Sequence, residues 1–211
     1  MMIDSLTEAA PGVFLGIDVI DEASNVELVS YLDGVPEVPY EGFDRTSSFA
    51  FTRPVFDGTS LRGRAEACAG DPVWLDRTMP GTRIPAPLEE LRHALNAHLP
   101  NALAAVSRVT ERWRPLTSVY VDRYDSHGHF VAHTDRSIYG PFIVGVTVGD
   151  GFGDLIFEDG TGEVHPVRLT SCSMYLMGPP LRYDPWQHRF QLLAGTRYAI
   201  TFRSAADHPN R

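Results

Sequence analysis

Ser118-Val119-Tyr120-Val121-Asp122-Arg123-Tyr124-Asp125-Ser126-His127-Gly128-His129-Phe130-Val131-Ala132-His133-Thr134-Asp135 decides how the rest of the chain is read. It opens with a β-prone run, Ser118–Tyr124, and reaches His133 and Asp135 through a turn marked by Gly128. Downstream, Phe142–Val148, Leu155–Glu158, Val164–Leu169, Ser173–Met177 and Arg197–Arg203 are short β-prone segments separated by Gly, Asp and Pro. Six such segments with little helix between them predict an antiparallel sandwich or barrel.

Upstream the texture differs. Residues 1–10 read as a loose leader, and Val13–Ile20 as a strand. Asp21 is placed to cap a helix that uses Val26, Leu28, Val29 and Leu32 as its buried stripe and stops at Asp33-Gly34. Residues 35–85 are rich in Gly, Pro, Asp and aromatics and predict short strands and long loops. A second helix is expected from about Pro87 to His98, burying Leu88, Leu91, Leu95 and Leu99. The fold class expected is therefore mainly β with flanking helices (α+β). No repeat or linker divides the chain, which reads as a single domain over 11–204 with a tail at 205–211.

Composition narrows the function. The chain has 211 residues, 43% hydrophobic and 21% charged, which permits one ordinary core. All 18 basic residues are Arg, so lysine-based Schiff-base, phosphate-loop and general-base chemistry is excluded. The net charge of −9 argues against bulk electrostatic attraction to nucleic acid. Cys68 and Cys172 are too few for a disulfide framework or a thiolate zinc site. No signal peptide or membrane span is evident, and a cytoplasmic location is expected.

The chemistry concentrates in three places. His133 and Asp135 are two apart and project to one side of an extended chain, where an imidazole and a carboxylate can share a metal ion. His188 lies 53 residues after Asp135, enough chain to return across a barrel as a third ligand. Two His and one carboxylate leave coordination positions open, the set that non-haem iron(II) uses with O2. Arg197 and Arg203 are six apart on the last segment, so they share a face with Ala199 and Thr201, while Tyr198, Ile200 and Phe202 take the other. Guanidiniums directed into a barrel need anions, and a dicarboxylic acid cosubstrate would satisfy them. Tyr124, on the same face as Asp122 and Tyr120, can add a hydroxyl to the same carboxylate.

Together these motifs resemble the AlkB-like branch of the iron(II)/2-oxoglutarate dioxygenases. Asp122-Arg123-Tyr124, ending nine residues before His133, resembles that branch's Asn-Arg-Tyr. His133-Thr134-Asp135 and His188 resemble its metal ligands, and Arg197 through Arg203 its Arg-x5-Arg. Pro11–Leu15 and the following helix are similar as well, so the likeness covers roughly 11–204. It implies a double-stranded β-helix (jelly-roll) core at 117–204 behind an N-terminal extension, 11–116, that carries the substrate lid. It implies Fe(II) on His133, Asp135 and His188, with O2 and 2-oxoglutarate as cosubstrates. Arg197 and Tyr124 would hold the distal carboxylate, with Arg203 near the chelating end or behind a ligand. Asp122 stands where the repair enzymes have Asn, and Ala199 offers no amide between the arginines.

Substrate contacts are expected from His129, Arg136, Phe51, Arg53 and Arg182. Residues 40–64 interleave Tyr40, Phe43, Phe49, Phe51 and Phe56 with Arg45, Arg53, Arg62 and Arg64, a pattern open to a nucleotide, an acidic substrate or plain folding. The charge balance tilts the expectation to hydroxylation of a small-molecule or amino-acid-like substrate, with release of succinate and CO2. The alternatives are an AlkB-type demethylase of N-alkylated bases and a cupin-like or non-catalytic metal-binding domain.

Overall fold

The computed structural model describes residues 3, 5–35, 47–52, 78–79, 84–106, 111–125, 128–135, 139–183 and 185–205, with the backbone alone for 47–52, 78–79 and 205. The strands are β1 (Thr7–Ala10), β2 (Val13–Gly16), β3 (Ser47–Thr52), β4 (Thr78–Met79), β5 (Ser118–Tyr124) and β6 (His129–His133). They continue with β7 (Tyr139–Gly149), β8 (Phe152–Glu158), β9 (Val164–Leu169), β10 (Met174–Met177), β11 (Gln187–Ala194) and β12 (Arg197–Ala205). Helices α1 (Glu22–Asp33) and α2 (Ala86–Ala104) flank them.

Two sheets result. The larger has the order β1-β2-β10-β7-β12-β5-β3-β4 and the smaller β6-β11-β8-β9. Nearly all pairings are antiparallel; β3 with β4 is the parallel exception among the described strands. Neighbours in space are distant in sequence, as when β12 is inserted between β5 and β7. This is the jelly-roll arrangement.

The alternation of β12 explains the layering. Tyr198, Ile200 and Phe202 join α1 and α2 residues in a core outside the larger sheet. Ala199, Tyr124, Tyr175, Phe157 and Phe190 belong to a second core between the two sheets. Strand β7 has helices on one face and the smaller sheet on the other, so it is buried along its whole length.

Helix α2 buries Leu88, Leu91, Leu95 and Leu99 as its spacing predicts, each contributing about 1.5–3 kcal/mol of hydrophobic stabilisation. It runs past His98 and through Pro100 to Ala104, because Leu103 adds another buried contact. The Asp21 carboxylate caps α1 by accepting from the Ser24 N–H at 2.8 Å. One expectation for α1 is corrected. Val26 is 59% exposed, and Asn25 is buried in its stead. The Asn25 side chain accepts from the Gly149 N–H at 2.9 Å and donates to the Gly149 carbonyl, which docks α1 on the end of β7. Residues 7–10, inside the stretch read as a leader, pair with β2 as β1; Val13–Ile20 is a strand only to Gly16. Trp113 packs against the outer core, stacked on Phe142, as a core tryptophan should. Cys172 is buried; Cys68, Trp74, His208 and the tail from 206 lie outside the described residues.

Candidate metal centre

Antiparallel pairing of β6 with β11 sets His133 directly opposite His188. Opposed residues in such a pair point to the same side, and the two imidazoles lie with centroids 4.2 Å apart. Asp135 follows just after β6, where the chain leaves the smaller sheet for the larger. One ligand atom from each of His133, Asp135 and His188 falls within 4.8 Å of the other two.

Each ligand is oriented by a neighbour. The His133 Nδ1–H donates to the Val131 carbonyl at 3.0 Å. A carbonyl only accepts, so Nδ1 carries a proton and Nε2 is the nitrogen turned toward a metal. Asp135 Oδ1 accepts from Arg203 Nη2 at 3.1 Å, while Oδ2 faces His188 Nε2 at 3.5 Å and Arg182 Nη1 at 3.9 Å. Burial pushes the His188 pKa down to about 3, with His133 adding to the effect, so this imidazole is neutral and free to donate its lone pair. Burial alone would push the Asp135 carboxyl up. The Arg203 and Arg182 guanidiniums outweigh it and hold the group ionised, well below the usual carboxylate range.

The two arginines of β12 differ. Arg203 lies between the rings of Tyr120 and Tyr139, at 4.7 and 4.8 Å, and its charge is matched by Asp135. Arg197 is 2% exposed, yet no carboxylate among the described residues forms an ion pair with it. Its guanidinium donates to the Thr147 hydroxyl at 3.2 Å and lies over Phe190 at 4.1 Å and Tyr124 at 5.6 Å. Burial pulls its pKa below the ordinary value, and the field of Asp122 opposes this. Asp122 is half-buried opposite Ala199, two residues from Arg197. Tyr124 is opposite Arg197 itself.

Other expected residues fall differently. Arg182, expected at the substrate, is buried beside Asp135, with Nη2 donating to the Gly140 carbonyl at 3.2 Å. His129 opens β6 opposite Gln191 and is half-buried. Phe51 pairs in register with Val119, and its side chain is not described. Arg53, Arg136 and His127 lie outside the described residues, as do 40–46 and 53–64 of the aromatic and Arg-rich stretch, with Tyr40, Phe43, Arg45, Phe56, Arg62 and Arg64.

Three neighbours escaped the sequence reading. Tyr139 clamps Arg203, and Thr147 receives Arg197. Tyr175 on β10 lies within the fields of Arg197, Asp135 and Arg203. Thr147 was the most legible, being the one hydroxyl in the apolar run Phe142–Val148.

No protein-family model matches the chain, and no curated protein matches it in sequence. Solved structures do match in fold. OsALKBH1 superposes with a TM-score of 0.63 at 17% identity, over 94% of this chain and 99% of that one. A 2OG-Fe(II) oxygenase family oxidoreductase from Burkholderia pseudomallei gives 0.61 at 11% identity, over 96% and 91%. A Pseudomonas putida prolyl-4-hydroxylase gives 0.53 at 11% identity, over 93% and 94%. The chain thus has the double-stranded β-helix fold on which AlkB-like and other 2-oxoglutarate/iron(II) oxygenases are built.

Proposed function

We propose that the protein is an iron(II)- and 2-oxoglutarate-dependent dioxygenase. It hydroxylates a C–H bond of a small-molecule or amino-acid-like substrate: substrate, 2-oxoglutarate and O2 give the hydroxylated product, succinate and CO2. The observation that carries this reading is the His133, Asp135 and His188 cluster inside the jelly roll, together with a buried Arg197 that forms no ion pair among the described residues. The donor set fits ferrous iron: two imidazoles and one carboxylate bind the ion and leave positions open. Iron bound there supplies the reduction of O2 coupled to oxidative decarboxylation of the cosubstrate.

The chain's own residues do the rest. Arg203 holds Asp135 ionised and turns Oδ2 toward the two histidines. Arg197, with Thr147 and Tyr124 around it, takes the distal carboxylate and fixes the diacid's orientation. Phe157, Phe190 and Leu155 line the intersheet core and keep water from the reacting groups.

Three surface arginines favour a small substrate over a nucleic acid. Arg168 is paired with Asp154 at 2.5 Å, Arg189 with Glu158 at 3.3 Å and Arg123 with Asp125 at 3.4 Å. These pairs leave little positive potential for a phosphate track on the described surface. That one structural neighbour is a prolyl-4-hydroxylase agrees with an amino-acid-like substrate.

The test is succinate formation from 2-oxoglutarate after iron(II) is added to anaerobically purified protein and air is admitted. Wild type should produce it, slowly without substrate, and His133→Ala should not. Absence of iron-dependent turnover with every pool of amino acids, metabolites and methylated oligonucleotides would refute the assignment. Formaldehyde released only from the oligonucleotides would move the substrate to alkylated bases.

A further inference from the structure

The ladder that sets His133 opposite His188 goes no further than that pair. Strand β6 ends at His133, and β11 begins at Gln187, whose register partner is Glu158 of β8. Asp135 lies two residues past the end of β6, outside the ladder. A side chain takes over where the rungs stop. Thr134 Oγ1 donates to the Trp186 carbonyl at 2.7 Å, joining residues 52 apart in sequence. Thr134 stands between the two ligands of its segment, and Trp186 stands two residues before the third. One hydrogen bond therefore ties the two ligand-bearing segments together just beyond the last rung.

The two ends of that bond are not equally held. The Trp186 N–H donates to the Tyr183 carbonyl at 3.1 Å, and its ring lies against His165 with centroids 5.6 Å apart. Pro185 sits so close over Gly160 in the β8–β9 turn that a Cβ there would come within 2.8 Å of the proline ring. Strand β6 is instead an edge strand whose register with β11 is irregular. The carbonyl is the fixed end, and the hydroxyl is the end that it places. We infer, on the proposed metal set, that Thr134 is a positioning residue for the metal: its hydroxyl, anchored on the Trp186 carbonyl, fixes the main chain from which His133 and Asp135 reach the ion. Each of those residues is one peptide unit away, about 3.8 Å between Cα atoms, so a shift of Thr134 moves both. Arg203 does a different job, because it orients the Asp135 carboxylate at 3.1 Å and leaves the backbone behind it unheld. Valine has the shape of threonine but no donor, so Thr134→Val leaves the Trp186 carbonyl without this bond.

The experiment is calorimetric titration of the metal-free protein with manganese(II), alongside its melting temperature. Thr134→Val should weaken manganese binding about tenfold, and Thr134→Ser, which restores the hydroxyl, should stay within about threefold of wild type. Thr134→Ala lacks the hydroxyl as well and repeats the test should the Val variant fail to fold. Thr161→Val is the control: it deletes a hydroxyl bonded at 2.7 Å to Asp159 in the β8–β9 turn and should leave manganese affinity unchanged. Loaded with cobalt(II), Thr134→Val should also show displaced visible absorption bands, since the ligand geometry changes. A lowered melting temperature with wild-type manganese affinity would overturn the inference and leave the proposed function standing, as would failure of Thr134→Ser to recover affinity. Equal manganese affinity in wild type and His133→Ala would overturn both.

Discussion

Arg203 has Asp135 for a partner, and Arg197 has, among the described residues, a hydroxyl and aromatic rings but no ion pair. A buried charge without a counter-charge is destabilising until a ligand supplies one. Arg197→Met should therefore leave the melting temperature of the ligand-free protein unchanged or raise it. At a 2-oxoglutarate concentration of 100 times Kd, wild type should gain about 2.7 kcal/mol that the variant lacks. Thermal scans with and without the diacid check both halves. Arg203→Met should act on the metal instead. It removes the group that orients Asp135, so iron(II) or manganese(II) affinity should fall about 10–100-fold, as read by metal titration. The shared face of these arginines was legible because strand parity needs only their spacing. Tyr175 was not, because β10 is buried on both faces and gives no alternation to read.

At the scale of elements, α1 is positioned by one amide. Asn25→Ala would strip both hydrogen bonds from the buried backbone of Gly149. It should cost about 1–3 kcal/mol in urea unfolding, whereas Val26→Ala should stay within about 0.5 kcal/mol because that side chain faces solvent. Sequence periodicity favoured the opposite ranking, since it scores Val as core and Asn as surface and cannot see a distant strand end in need of a donor and an acceptor. Strand β11 was missed for a related reason. Gln187, His188, Arg189 and Gln191 give it a polar composition, although His188, Phe190 and Leu192 alternate into the core. The six β-prone runs, by contrast, all became strands, because apolar and β-branched residues dominate them. Chemistry-bearing strands are the harder ones to find, since the side chains that serve the site displace those that advertise the fold.

The whole molecule combines a formal charge of −9 with an interior in which Arg182 and Arg203 share the carboxylate of Asp135, while Arg197 forms no ion pair among the described residues. The metal set was legible from residue types and order. What joined those residues was long-range register, which no local pattern encodes. That register has a mechanical side. Strand β6 is five residues long, stands at an edge of the smaller sheet and pairs with β11 through an irregular register. An ion gripped by His133 and His188 would act as a staple across that weak seam. Amide deuterium uptake in 129–133 should consequently be fast in chelator-treated protein and slow markedly once iron(II) or manganese(II) is restored, with α2 unaffected. The catalytic ion would then double as the fastener of its own wall, and starvation for metal would fray the cavity before it unfolded the protein.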